Sequence, residues 1–453
     1  MKPYAKPMRE ENKKEIFYQI FLRAFTDEGT IESARKMLPS IADLGVSVVY
    51  LCPINEADDD MDPAHWSDRQ HASGFNNPRN PYRMKDYYKI DEEYGTDADL
   101  LRFVQDAHRL GMKVFLDLVY LHCGPKASFL AEHPDFIERD ETGEPIYNRW
   151  HFPNLNFANP ALRSYLEENM LYFVEKFDVD GYRCDVGDKV PLDFWLAARK
   201  KLEVVKPQIL LLNEGSRAAY LEEGFEWNYS FKLHTAFVSV FADGAPATAI
   251  RDILRFEEET YPKGYRMIRY IDNHDTASDS YNNRYEKSLG ERGVECAFAM
   301  MYTLRGAPLL YNGNEACDDS RHSLWSNRDH GKLHVRWENA LTPAGVRRRD
   351  FLRLLASLFR GHEALYDGDL QLLDHDNPDA ALAYLRTAPN GERIAVILNT
   401  RREAVTVNVP LVCEPIGTLL NGGGGFCYAD GALSASLLPF GYLILRLPDA
   451  REG

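Results

Sequence analysis

The sequence predicts an α/β protein: a (β/α)8 TIM barrel with a short excursion domain after strand 3 and a C-terminal antiparallel β-sandwich. Three observations predict it. Short apolar runs alternate with amphipathic stretches over about the first 315 residues, which implies repeated βαβ units and a parallel sheet. Roughly eight such units suit a closed barrel better than an open sheet. After residue 362 the pattern changes to short alternating runs separated by turn residues, which implies antiparallel strands. The expected division is residues 1–122 and 159–362 for the barrel, 123–158 for the excursion and 363–453 for the sandwich.

The elements follow in order. EIFYQI (15–20) opens the series, and TIESARKMLPSIADLG then places Ile31, Ala34, Met37, Leu38 and Ile41 at helical spacing, with Gly45 as a stop. VSVVYL (46–51) is the second strand. GTDADLLRFVQDAHRLG begins with Thr96 and Asp99 spaced as a capping box and closes at Gly111, before KVFLDLV (113–119). An irregular stretch from Cys123 to about Ala158 interrupts the next unit. The helix that follows has Asn159 as its cap and Pro160 at its first position, ahead of VDGYRCDV. ILLLNEG (209–215), FEWNYSF (225–231), RMIRYID (266–272) and PLLYNG (308–313) complete the set. In the tail, AALAYLRT, RIAVILNT, AVTVNVP and YLILRL are the sandwich strands, and Gly422 to Gly425 form a turn cluster.

Composition narrows the function. The chain carries 53 basic and 69 acidic residues, a formal charge of −16. Such a surface disfavours nucleic acid and anionic membranes and suits a neutral substrate. EADDDMD (Glu56 to Asp62) is expected to be a solvated loop, and RRRD (Arg347 to Asp350) the outer face of a helix. Seven scattered cysteines lack CxxC pairing, so neither a disulfide framework nor a zinc knuckle is indicated. No run approaches the roughly 18 apolar residues of a membrane span, and no apolar leader precedes the first strand. A cytoplasmic location is expected.

Catalytic groups in a parallel barrel come from the C-terminal ends of its strands. Those ends carry Asp117, Asp185, Glu214 and Asp275 here, with His122 and His274 on the same rim. Arg183 lies two residues before Asp185 in a strand, so the two side chains share a face. A lone pair of this kind is usually a structural ion pair, but four converging carboxylates need a fixed cation. Such a set can support glycoside hydrolysis, with an ionised nucleophile and a protonated donor. Arg183 favours the ionised form of Asp185, while burial and neighbouring charge raise the pKa of Glu214. Carboxylates and histidines also bind divalent cations, but the adjacent arginine opposes a metal.

DLVYLH (117–122), GYRCD (181–185), LLNEG (211–215) and IDNHD (271–275) are similar, in order and strand position, to motifs of the α-amylase superfamily, glycoside hydrolase family 13. FYQIFLRAF, DLGVSVVYLCPI, DYYKIDEEYGT and TLRGAPLLYNGNE resemble its framework segments. The resemblance implies that Asp185 is the nucleophile, Glu214 the general acid/base and Asp275 the third carboxylate, which binds sugar hydroxyls. It implies that Arg183 positions Asp185, that His122 and His274 hydrogen-bond the sugar, and that Asp117 supports them. Tyr82 matches the aromatic residue that stacks under the sugar, and Arg336 in HVRWE is a further candidate for substrate contact.

Two departures bear on cofactor and substrate. The family's usual asparagine before the first histidine, a calcium ligand, is Leu121 here, and the position often holding aspartate in FPNLN is Asn154. Leu121 cannot coordinate a hard cation, so no cofactor is expected to be required and structural Ca2+ is doubtful. FPNLN resembles the segment of enzymes acting on short oligosaccharides or cyclodextrins. The expected activity is therefore retaining hydrolysis of α-1,4 bonds in maltooligosaccharides, with an α-glucan oligosaccharide as partner and the oligomeric state open. A transglycosylase or sugar isomerase of the same family is the alternative. A non-catalytic glycan-binding or assembly subunit fits poorly with retention of all three carboxylates.

Overall fold

The computed structural model describes residues 2–278 and 284–450. Its strands, in chain order, are β1 (Phe17–Ile20), β2 (Val48–Leu51), β3 (Asn55–Ala57), β4 (Met84–Ile90), β5 (Lys113–Leu118), β6 (Gly181–Cys184), β7 (Leu210–Asn213), β8 (Trp227–Tyr229), β9 (Met267–Arg269) and β10 (Ala307–Tyr311). The C-terminal set is β11 (Asp369–Leu372), β12 (Ala381–Thr387), β13 (Arg393–Asn399), β14 (Val405–Pro410), β15 (Gly417–Asn421), β16 (Gly424–Ala429), β17 (Ala432–Leu437) and β18 (Tyr442–Leu447).

Eight of these close into a parallel barrel in the order β1-β10-β9-β8-β7-β6-β5-β2. All eight runs read as strands, FEWNYSF included, contribute to it. Their buried faces explain the near-continuous apolar sequence: Phe17, Val48, Phe115, Leu212, Trp227, Ile268 and Leu309 pack inside the barrel, and the alternate residues pack outward against helices. The helices start where local chemistry lets them. Thr30 caps Ile31–Ala42 with a reciprocal bond to Ser33, and Thr96 caps Asp97–Arg109 with Asp99. Asn159 accepts the Ala161 N–H ahead of Pro160–Phe177, with Pro160 at the first position. Among the described residues, no helix is long and apolar enough to cross a membrane.

Two excursions rise from the mouth of the barrel. The first, between β2 and β5, holds the antiparallel pair β3–β4 and a short helix, Asp68–Ser73. The second, residues 123–158, is built from 3-10 turns and isolated bridges such as His122↔Asn154 and Tyr147↔Pro153. Asp58 ties them together. It is fully buried, and its Oδ2 accepts the Lys126 N–H at 2.7 Å. The expectation of a solvated EADDDMD loop is thus overturned: Asp58 and Asp60 are buried because their carboxylates replace water for backbone N–H groups and face Arg83.

RRRD also departs from expectation. Arg347 and Asp350 are exposed on the helix Pro343–Gly361, but Arg348 is fully buried. Arg348 pairs with Glu286 and donates to the Asn314 carbonyl at 3.2 Å. Adjacent helix positions diverge by about 100°, so a run of four charges cannot all face outward on a helix packed along one side.

Beyond the barrel, the C-terminal residues form a five-stranded sheet, β11-β12-β13-β18-β15, and a three-stranded sheet, β14-β17-β16. All pairings are antiparallel, and Ala383, Ile397, Val407, Leu433 and Leu445 belong to one core between the sheets. Arg386, fully buried, donates to the carbonyls of Thr303 and Gly368 and so fastens this unit to the barrel.

Candidate active site

Parallel register builds the centre of the site. Asp117 on β5 lies opposite Arg183 on β6, and Cys184 opposite Asn213 on β7, so Asp185 and Glu214 follow neighbouring strands. Arg183 is almost wholly buried and bonds three carboxylates. Nη1 donates to Asp117 Oδ1 and to Asp185 Oδ1, each at 2.7 Å, and Nη2 forms an ion pair with Glu214 Oε1 at 2.7 Å. The side chains of Asp117, Asp185 and Glu214 are 0%, 8% and 12% exposed. One cation therefore faces three groups with little water to help it.

Charge at this density cannot all remain. Burial raises all three carboxylates and Arg183 pulls each back, leaving Asp117 and Asp185 at about 7 and Glu214 at about 8. The three titrate as a set, and the protons held near neutral pH belong to the cluster as a whole. Asp117 is favoured as an anion by a second donor, the Tyr82 hydroxyl at 3.0 Å. Glu214 Oε2 accepts the Val186 N–H at 2.7 Å. Val186 has φ 43°, a left-handed conformation that is costly for a β-branched residue, and it turns that N–H toward the carboxyl.

Asp275 differs from the other three. Its side chain is 37% exposed to the cleft, and Arg69 Nη1 donates to its Oδ1 at 2.6 Å. Desolvation acts to raise its pKa, but His274, Arg69 and Arg183 outweigh that and hold it well below the usual range. Burial lowers His274 to about 4, so at neutral pH the permanent cation beside Asp275 is Arg69. His274 receives Gln19 Nε2 on Nδ1 at 2.6 Å, which leaves its proton on Nε2, 3.6 Å from Asp275 Oδ2. The Tyr82 ring stacks near-parallel to His274, with centroids 5.2 Å apart. His122 Nε2 donates to the Tyr82 carbonyl at 2.8 Å, and its buried Nδ1 has no partner among the described residues. The rim thus offers a neutral donor at His274 and an aromatic face at Tyr82.

Eight of the nine residues singled out from the sequence share this cluster. Arg336 does not. Asp318 accepts its backbone N–H at 3.1 Å and Asp319 pairs with its guanidinium, on the loop after β10 and without contact to Asp185, Glu214 or Asp275. The cation beside the third carboxylate is instead Arg69, in an unpatterned stretch, HWSDRQH, that carries no sequence signal. Asp188 was missed as well. It accepts the N–H groups of Ser216 and Arg217 at 2.6 and 3.1 Å, and Asn213 Nδ2 at 2.9 Å, clamping the turn that presents Glu214. Gly187 and Gly215 allow this, because a Cβ on either would come within 2.2 Å of Asn213 or Asp188.

At the position where the resemblance places calcium, Leu121 has no side-chain ligand atom; Asn154 donates Nδ2 to Glu138 Oε2 at 3.0 Å, and its buried Oδ1 has no partner among the described residues. Among the described residues, no three His, Cys, Asp or Glu side chains are grouped to hold a metal.

Comparison with known proteins identifies the lineage. The family model described as "Alpha amylase, catalytic domain" matches residues 8–152 and 146–353. The chain belongs to the alpha-amylase family. Alpha-amylase MalA of Haloarcula japonica is 28% identical over 90% of this chain and 58% of its own length. Intracellular maltogenic amylase of Bacillus subtilis is 27% identical over 63% of this chain and 48% of its own. The chain thus spans about half the length of these curated relatives. Among solved structures, a noncanonic maltogenic alpha-amylase, AmyB from Thermotoga neapolitana, aligns with a TM-score of 0.81 at 26% identity, covering 96% of this chain and 99% of that one.

Two outcomes follow from the charge cluster. Arg183→Ala leaves buried carboxylates without their cation and should cost about 3–5 kcal/mol in urea denaturation at neutral pH; a loss under about 1 kcal/mol would show that the cluster is not electrostatically dependent on it. Glu214, with its pKa raised on folding, contributes stability that is full below its unfolded value and is lost as pH rises through about 8. Glu214→Gln should therefore raise Tm relative to wild type at pH 9 more than at pH 5, read by calorimetry at both.

Proposed function

We propose that this alpha-amylase family member is a retaining hydrolase of α-1,4-glucosidic bonds in maltooligosaccharides, acting by double displacement. Asp185, set beside Arg183, attacks the anomeric carbon while Glu214 donates its proton to the departing glycosidic oxygen. A glycosyl ester on Asp185 results. Glu214, now ionised, takes a proton from water, which attacks the same carbon and releases the sugar with its α-configuration kept. Asp275, His122 and His274 hold the sugar's hydroxyls, and Tyr82 lies under its ring.

One observation carries this reading: a single guanidinium bridges Asp185 and Glu214 through its two terminal nitrogens at 2.7 Å each. That arrangement supports the close carboxylate spacing of retaining enzymes, about 5–5.5 Å, over the wider gap that admits an inverting enzyme's water. It also favours division of labour, since Arg183 hydrogen-bonds Asp185, which favours its ionised form, but meets Glu214 only as an ion pair. The names of the Thermotoga and Bacillus relatives, both maltogenic, agree with short α-glucans as substrate, as does FPNLN. The intracellular designation of the Bacillus protein supports a cytoplasmic setting here. Leu121 and Asn154 support activity without structural calcium.

Proton NMR of the first product from maltotriose should show the α-anomer, and Asp185→Asn or Glu214→Gln should each lower kcat at least a thousandfold with native circular dichroism. A β-anomer at early times would replace double displacement with inversion. Chelation should leave kcat and Tm unchanged; a fall in Tm reversed by added Ca2+ would mean that a bound ion stabilises the native state.

A further inference from the structure

The mouth of the barrel is not open on all sides. Arg69 stands on the helix Asp68–Ser73, in the excursion after β2, and reaches Asp275 on the loop after β9. Its Nη1 donates to Asp275 Oδ1 at 2.6 Å, and its Nη2 donates to the Asp275 carbonyl at 3.2 Å and to Ser278 Oγ. β2 and β9 are not neighbours: β1 and β10 stand between them. The Arg69–Asp275 bridge therefore spans the rim above those two strands.

The bridge is fastened from behind. Asn77 Nδ2 donates to the Trp325 carbonyl at 3.0 Å, and Arg321 Nη2 to the Ser73 carbonyl at 3.2 Å. Arg23, buried beneath, donates through Nη1 to the carbonyls of both Arg79 and Leu324. Side-chain donors to backbone carbonyls thus join the excursion after β2 to the loop after β10. They make a wall on that side of the site.

The chemistry gives the wall a direction. Glu214, beyond β7, protonates the bond to the leaving chain, so the leaving chain departs on the β6–β7 side. The retained sugar has its anomeric carbon at Asp185 and extends toward Asp275, with its non-reducing end toward β1, β2 and β10. A chain continuing past that end would have to displace a charge-assisted pair that is only 20% exposed on the Arg69 side.

Resting on the hydrolase reading above, we infer that Arg69 is a specificity-determining residue that closes the cleft at the non-reducing end. Substrate then enters end first, and the enzyme removes single glucose units from chain ends instead of cutting within chains.

The test uses maltohexaose labelled at its reducing end with 2-aminobenzamide, with and without a 4,6-O-ethylidene block on the non-reducing sugar, and chromatography of the first products. Wild type should shorten the unblocked substrate by one sugar at a time and cleave the blocked one at least 50-fold more slowly. Arg69→Ala should raise the blocked-to-unblocked rate ratio at least tenfold, while Arg69→Lys, which keeps the charge, stays near wild type. Equal wild-type rates on both substrates, with cuts at internal bonds, would overturn the inference and leave the hydrolase reading standing. No cleavage of either substrate would instead sink the hydrolase reading itself. An Arg69→Ala variant that folds, as read by Tm, and keeps the wild-type ratio would remove Arg69 from the role.

Discussion

Everything at the mouth of this barrel depends on one buried cation. Arg183 bonds Asp117, Asp185 and Glu214, none of them more than 12% exposed. Three carboxylates in so little water would repel one another strongly, and one arginine neutralises only one of them. The remaining charge is relieved by protonation, with burial pushing the carboxyls up until protons are held near neutral pH. A stable interior and a reactive one are thus the same arrangement seen from two sides. A proton retained by such a cluster near neutral pH is what an acid catalyst needs.

The site holds this balance because its parts sit on strands. Register places Asp117 opposite Arg183 and Cys184 opposite Asn213, so the positions of the charges are set by the barrel ladder. Short turns finish the work. Val186 accepts a strained backbone to aim its N–H at Glu214, and Asp188 pins the turn after Glu214 through two main-chain bonds. Strain kept at such a place is sustained by the rigid frame around it.

How much of this was legible follows from the range of each interaction. Strands and helix caps depend on residues a few positions apart, so Thr96 with Asp99, and Asn159 with Pro160, could be read directly. The carboxylates were legible because each ends an apolar run on a strand, where charge has no structural excuse. Asp58, Arg348 and Arg69 were not. Their burial or pairing is set by partners 25 to 206 positions away, and a charged residue in a loop looks the same whether it meets solvent or a distant backbone. Arg336 lies outside the cluster for a different reason: Asp318 and Asp319 on the loop after β10 hold its backbone N–H and guanidinium.

This division has a functional meaning. On the proposed mechanism the strand-borne groups carry the reaction, because such chemistry tolerates little displacement of nucleophile, acid and cation. Loop-borne groups define what reaches them. The excursion after β2 contributes both Tyr82, at the floor of the site, and Arg69, at its edge, and Asp58 anchors that excursion to residues 124–126. Changes in this one segment can therefore alter the depth and openness of the cleft without moving Asp185 or Glu214. A barrel whose catalytic core is fixed by register, and whose rim is fixed by long-range loop contacts, can vary its substrate while its chemistry stays constant.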